Sequence, residues 1–149
     1  MPAFDTDILS DLVRRKHNCL LHLGELGERQ IELIREGRMT ELLDLLAHKQ
    51  QMLVELQRIE RGLDPFRGQD PERRPWRSPE ARRLCSEQLA RCEQILARIV
   101  RDEKQSEQEM VRRRDQTAAE LQGIQTAGAA RNAYQSTARN EVAQFDARL

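Results

Sequence analysis

The sequence predicts an all-α fold: an elongated antiparallel helical hairpin plus a long third helix, packed as a coiled-coil-like three-helix bundle, with an amphipathic C-terminal segment. Sheets favour aromatic and β-branched residues, but the 149 residues include only one Trp, one Tyr and three Phe. The apolar residues are mostly Leu, Ala, Ile and Met, and they recur at spacings of three and four, as on one face of a helix. This length is typical of one domain, so residues 1–149 are predicted to be a single helical domain.

Residues 5–61 are predicted to form the hairpin. The first helix runs from about Asp5 to Glu36, and Gly37 is a good C-terminal stop. The second helix follows almost at once, with Thr40 as its N-cap, and ends at Gly62. So short a connection forces the two helices to be antiparallel neighbours. The two apolar faces are Leu9, Leu12, Cys19, Leu20, Leu23, Leu26, Leu33 and Ile34, then Leu42, Leu45, Leu46, Met52, Leu53, Leu56 and Ile59.

Residues 62–78 are predicted to be a proline-rich linker, because prolines and glycines recur there and through Pro79. Phe66 and Trp76 lie within it. Aromatic side chains are unusual in a solvated linker, so at least one is expected to pack on the hairpin. The alternative is that the linker is a docking loop for a partner.

Residues 79–122 are predicted to form the long third helix. Ser78 is its N-cap, Pro79 occupies the first helical position and Glu80 lies in the first turn. Its seam alternates steps of four and three, as in a coiled coil. The seam comprises Cys85, Leu89, Cys92, Leu96, Ile99, Glu103, Ser106 and Met110, and it resumes at Thr117, Leu121 and Ile124. Residues 101–117 are mostly charged, and the helix outruns the hairpin that could cover it.

Residues 123–149 are predicted to be a flexible amphipathic tail, because Gly123 and Gly128 loosen the chain at its start. An apolar stripe follows at steps of four, four, three and four: Tyr134, Ala138, Val142, Phe145 and Leu149. The tail either docks on its own bundle, or is partly disordered and folds on a partner.

Charge and composition argue against several classes of partner. Twenty-five basic and 25 acidic residues cancel, so no overall field attracts nucleic acid. The basic run Arg112–Arg114 is flanked by acids and lacks interleaved aromatic residues. No apolar run is long enough for a membrane span. The acidic start has no basic region typical of a secretory signal, and three cysteines cannot complete a disulfide framework. A cytoplasmic location is therefore expected.

Catalytic and metal-binding patterns are not found. His17, Cys19 and His22 point in different directions around one helix, so they cannot converge on one ion. His48 is isolated in the sequence. The glycines are scattered and form no phosphate-binding loop. We therefore expect no enzyme, no cofactor and no metal.

Three stretches carry a family resemblance. They are TELLDLLAHKQQMLVELQRIE at 40–60, the long charged third helix after a proline break, and LQGIQTAGAARNAY at 121–134. In these the chain resembles the FlgN-type flagellar type III export chaperones. The resemblance implies a small cytoplasmic chaperone that binds C-terminal amphipathic helices of hook-associated, hook–filament junction proteins. It would keep them unassembled and bring them to the export apparatus. The proline-rich insert at 62–78 and the stripe ending at Leu149 depart from the family pattern.

A structural coiled-coil or adaptor protein that self-assembles without an export client is the alternative, and a homodimer is left open. In either case the partner is a protein helix. The predicted core includes Leu12, Leu23, Leu46, Leu53, Leu56, Leu89, Leu96 and Ile99. The predicted partner-binding residues lie in the distal third helix and the tail: Met110, Leu121, Ile124, Tyr134, Val142 and Phe145.

Overall fold

The computed structural model describes the backbone of residues 5–148 and the side chains of residues 5–140. The described residues form three α-helices, α1 (Asp5–Glu36), α2 (Met39–Arg67) and α3 (Pro79–Arg148), and a short 3-10 turn at Pro71–Arg73. The prediction of an all-α fold is confirmed. The chain divides into two compact units, Met1–Glu109 and Met110–Leu149.

The turn between α1 and α2 depends on Gly37, which adopts a φ of 70°. Its N–H donates to the carbonyl of Ile34 at 3.1 Å, and the Arg38 N–H donates to the carbonyl of Leu33 at 3.0 Å. This pair of bonds is the Schellman motif, which favours glycine at the left-handed position. The predicted stop at Gly37 is confirmed. Thr40 is not the N-cap, because α2 already begins at Met39.

Helix α2 continues to Arg67, so the predicted boundary between a hairpin at 5–61 and a linker at 62–78 is corrected. Gly62 does not end the helix but lies against the side chain of Leu12. Pro65 falls in the last turn, where interrupting the helix costs least. Leu63 is buried and Phe66 packs against the same core. Burial of these apolar side chains outweighs the local preference of glycine and proline for a turn.

The connection from 68 to 78 is held against the start of α1. The Thr6 hydroxyl donates to the carbonyl of Pro75 at 2.7 Å, and the Arg77 guanidinium binds the Asp7 carboxylate at 2.5 Å. Phe66 and Trp76 both pack against the hydrophobic core. The expectation that at least one aromatic side chain packs on the hairpin is therefore confirmed.

Helix α3 begins as predicted but ends later. The Ser78 hydroxyl accepts the Ala81 N–H at 3.1 Å, which is the expected N-cap bond. The helix then runs to Arg148, so the boundary at 122 and the separate tail at 123–149 are corrected. Gly123 and Gly128 each cost about 1 kcal/mol relative to alanine. Alanine, glutamine and arginine surround them and favour the helix.

Among the described side chains, the hydrophobic core lies within the first unit, in two clusters. The larger buried cluster comprises Leu9, Val13, Cys19, Leu20, Leu23, Ile59, Leu63, Cys85 and Cys92. The smaller one, near the hairpin turn, comprises Leu33, Ile34, Leu42 and Leu45. Among the predicted core residues, Leu23 is buried, and Leu12, Leu56 and Ile99 pack partly buried against the larger cluster.

Four predicted core positions are wrong: Leu46, Leu53, Leu89 and Leu96 are exposed. Each belongs to an apolar face that is wider than the contact its helix makes. On α3, Ile95 and Ile99 occupy the space beside Gly24 of α1, where no side chain competes with them. Leu96, the next residue along α3, therefore faces solvent.

Candidate partner-binding surface

The second unit, Met110–Leu149, is the distal part of α3. Of its side chains described between 110 and 140, none is buried. At 1.5 Å per residue, the helical part from 110 to 148 is about 58 Å long. Over the described side chains, 110–140, the helix buries no face and so gains little stability from tertiary packing.

Large apolar side chains are displayed on this distal helix. The exposed fractions are 43% for Met110, 55% for Leu121, 69% for Ile124 and 77% for Tyr134. At 100° per residue these four lie within an arc of about 140°. Charged residues share this arc with the apolar side chains: Arg113, Glu120, Arg131 and Arg139. The face is therefore mixed, and its exposed apolar side chains could pack on another helix.

The remaining two predicted partner-binding residues, Val142 and Phe145, belong to α3 by their backbone. Their side chains lie outside the described residues. The structure thus brings Met110, Leu121, Ile124 and Tyr134 to one helix, and all four are accessible.

The distal helix is predominantly basic on its described surface. Between 110 and 140 the chain has five arginines but only two acids, Asp115 and Glu120. Apolar side chains are therefore displayed among positive charges, although the whole chain is neutral.

A polar layer crosses the first unit where the apolar seam of α3 stops. The Lys49 ammonium of α2 donates to Gln30 Oε1 of α1 at 2.9 Å and pairs with the Glu103 carboxylate of α3. Burial lowers the pKa of Lys49. Two buried atoms of α3, Asp102 Oδ2 and Ser106 Oγ, have no hydrogen-bond partner among the described residues. From Asp102 onward, α3 thus faces the hairpin with polar side chains.

This polar layer accounts for the change at residue 101, where the apolar seam of α3 gives way to mostly charged residues. The smaller core cluster draws its buried residues from α1 and α2. Farther along α3, Glu109 pairs with Arg35 of α1 at 3.5 Å, where Arg35 is half exposed. Exposed ion pairs contribute little, at most about 1 kcal/mol each. The attachment of α3 to the hairpin therefore weakens toward Glu109.

Further exposed leucines lie on the bundle itself. Leu46 and Leu53 are exposed on α2, and Leu89 and Leu96 are exposed on α3. A cavity of about 280 Å³ near Leu89 is lined partly by Leu9, Trp76 and Cys85, and its lining contains no carboxylate. The cavity therefore offers no pair of side chains for acid–base catalysis. The exposed leucines are a second candidate site for a protein partner.

Comparisons with protein-family models, with curated proteins and with solved structures returned no match. In the described part of the chain, no helix contains an apolar stretch long enough to cross a membrane.

The histidines differ from the interpretation of the sequence. His48 is not isolated: its Nε2 atom lies 2.9 Å from Nε2 of His22, across the α1–α2 contact. His17 takes no part in this pair. The hairpin itself is the signal that could have predicted the pair. His22 lies 15 residues before Gly37 and His48 lies 11 residues after it, so on antiparallel helices the two fall within about one turn of each other. Among the side chains that the structure describes, 5–140, no group of three or more is suited to a metal ion.

Proposed function

We propose that this protein is a cytoplasmic, non-catalytic chaperone of the FlgN type, which binds the C-terminal amphipathic helices of hook-associated proteins before their export. The resemblance at 40–60, in the third helix and at 121–134 suggests the client class. The distal part of α3 supplies the kind of surface that such a client requires. The chaperone would keep the client unassembled by covering the helices with which it assembles.

The observation that carries this proposal is the exposure of Met110, Leu121, Ile124 and Tyr134 on one helix. Soluble helices normally bury their apolar face against another element. An amphipathic client helix lying alongside would bury these side chains in a helix-to-helix contact. Burying one large apolar side chain contributes about 1.5–3 kcal/mol. The free energy gained from a few such contacts exceeds the cost of association only moderately. A moderate affinity suits a chaperone that must release its client.

Charge adds a second requirement on the client. Five arginines lie on the helix between 110 and 140, and three of them share the arc of the apolar side chains. Complementary charge at the rim of an interface increases the association rate and selects among partners. The client helix is therefore expected to have acidic residues beside its apolar stripe, and binding should weaken as salt increases.

Self-assembly through the same helix is the alternative. Steps of four and three from Thr117 through Leu121 and Ile124 reach Gly128, Arg131 and Gln135. These three successive positions offer no large apolar side chain to a coiled-coil core. A long homodimeric coiled coil is therefore less favourable here than a contact with a different helix.

Point variants of the full chain test the proposal against a C-terminal helical peptide from a hook-associated protein of the same organism. Ile124→Glu places a charge within the apolar arc and should weaken binding at least tenfold by titration calorimetry. Tyr134→Ala should also weaken binding, because aromatic side chains tend to dominate interface energetics. The matched control is Leu43→Ala, since Leu43 is 67% exposed on α2 but lies outside the distal helix.

Truncation after Gln122 gives an independent reading. The shortened chain should keep its helical bundle and lose the client. Unchanged affinity for the client would place the site elsewhere, with the exposed leucines of α2 and α3 as the next candidate. A stable homodimer of the full chain in sedimentation equilibrium, with no affinity for the peptide, would instead support the self-assembly alternative.

A further inference from the structure

Two histidines face each other across the hairpin. His22 of α1 and His48 of α2 place their Nε2 atoms 2.9 Å apart, with ring centroids separated by 4.9 Å and ring planes inclined by 32°. Both residues are exposed, so solvent reaches the pair. Each is within a helix, and the two helices are joined by the short turn at Gly37.

The simplest account of this distance is a hydrogen bond in which the Nε2–H of one imidazole donates to Nε2 of the other. The same spacing also suits two ligands of one metal ion. With metal–nitrogen distances of about 2.1 Å, nitrogens 2.9 Å apart subtend an angle of about 90° at the ion. A tetrahedral angle would need nitrogens about 3.4 Å apart at the same bond length. In the separation of its two nitrogens, the pair therefore matches neighbouring ligand positions of an octahedral or square-planar ion.

We propose that His22 and His48 form a binding site for a divalent transition metal such as Ni²⁺ or Cu²⁺, with water completing the coordination shell. Imidazole nitrogen suits these ions, which accept right-angled ligand pairs. The described residues offer no third protein ligand, since they contain no cluster of three or more suitable side chains. Two imidazoles held on adjacent helices bind one ion more tightly than either imidazole alone, because the second bond forms within the molecule.

Competition from the thiols is weak. Cys19, Cys85 and Cys92 are buried, and burial raises the pKa of each thiol. The thiolate is the form that binds metals, so these residues are poor ligands in the folded protein. The histidine pair exists only when α1 and α2 are docked. A bound ion would therefore join the two helices and stabilise the folded bundle.

Titration calorimetry of the full chain with Ni²⁺ tests the site. The expected result is one ion per chain, with affinity reduced about 100-fold in His22→Asn and in His48→Asn. His17→Asn is the matched control, because this histidine lies on α1 outside the pair, and it should bind Ni²⁺ as the unaltered chain does. Circular dichroism checks that each variant is folded. If His48→Asn is not folded, His48→Gln takes its place.

Thermal unfolding provides the second readout. Saturating Ni²⁺ should raise the unfolding temperature of the unaltered chain and leave those of the two pair variants unchanged. The proposal is overturned if the unaltered chain binds Ni²⁺ no more tightly than the pair variants, which would leave a hydrogen bond as the only role. It is also overturned if His17→Asn weakens binding equally, or if one ion binds per two chains.

Discussion

Glycines set how closely the helices approach. A Cβ at Gly24 of α1 would lie 3.9 Å from Ile95 Cγ2 and 4.0 Å from Ile99 Cγ1, which are ordinary contacts. A Cβ at Gly62 of α2 would lie 3.1 Å and 3.3 Å from the two methyl groups of Leu12. The two glycines are thus alike in their helical setting and differ in the space beside them.

Replacement of each glycine by alanine should shift stability in opposite directions. Gly24→Ala should stabilise the bundle by about 0.5–1 kcal/mol, because alanine favours the helix and its methyl group fits. Gly62→Ala should destabilise it by about 1 kcal/mol, because displacing Leu12 costs more than the helix preference returns. Urea unfolding followed by circular dichroism measures both. A shift of the same sign in the two variants would contradict this account of how α1 packs against α3 at Gly24 and against α2 at Gly62.

The buried thiols give the protein a dependence on alkaline pH. Burial raises the pKa of Cys92 above its ordinary value. The folded chain then keeps a proton that the unfolded chain releases, so the contribution is complete below about pH 8.5 and is lost as the pH rises through the folded value. The loss is limited to about 1.4 kcal/mol per pH unit for each thiol.

Comparison of the unaltered chain with Cys92→Ala isolates this effect, since the lowered pKa of Lys49 acts in the opposite direction in both proteins. Between pH 7.5 and pH 9.5, the urea midpoint of the unaltered chain should fall more than that of the variant. Parallel profiles would mean that Cys92 keeps its ordinary pKa in the folded state.

At the level of single helices, the sequence predicts the element types and two of the helix ends. Gly37 and Ser78 act as predicted, because a left-handed glycine and a serine N-cap are local signals. The far ends of α2 and α3 could not be predicted in this way. Gly62 and Pro65 lie inside α2 because packing of Leu63 and Phe66 overrides their local preference.

The choice of buried positions on α3 shows the same limit. A seam of steps four and three from Cys85 selects Leu89 and Leu96, whereas steps of three and four select Gln88 and Ile95. Both patterns share Cys85, Cys92 and Ile99. Leu89 is more apolar than Gln88, so the sequence favours the first pattern. Gly24 on the facing helix, however, leaves space in which Ile95 packs. The pairing of His22 with His48 also depends on such a register between helices.

Alanine substitutions distinguish the packed face of α2 from its exposed face. Ile59 is among the most deeply buried side chains, whereas Leu53 is exposed. Ile59→Ala should cost about 2–5 kcal/mol of unfolding free energy. Leu53→Ala should cost less than about 1 kcal/mol. Chemical denaturation compares them, and a larger loss for Leu53→Ala would mean that α2 is rotated from the orientation described.

For the whole molecule, the essential division lies between Glu109 and Met110. Both hydrophobic clusters fall in the first unit. The described side chains of the second unit are exposed or half-buried. The stability of the bundle should therefore be independent of the second unit.

A shortened chain comprising residues 1–109 should fold. The midpoint of its thermal unfolding should equal that of the cooperative transition of the full chain. Its helical signal should be lower in proportion to the helix removed. Calorimetry and circular dichroism together measure both quantities. A clear fall in the midpoint would mean that residues beyond 109 contribute to the core.

The partner-binding surface is predictable from sequence only as far as its apolar residues. Leu121, Ile124 and Tyr134 can be identified by spacing, and the structure adds that they are accessible on a helix. The identity of the client depends on a second molecule and stays a proposal.

Hydrogen exchange of the full chain, with and without a hook-associated protein, tests the central claim most directly. Amides of the distal helix lack tertiary protection and should exchange rapidly in the free chain. Binding should slow exchange between Met110 and residue 140 and leave α1 and α2 unchanged. Protection confined to α2 and the first half of α3, with unchanged exchange beyond Met110, would contradict the assignment of the site to the distal helix.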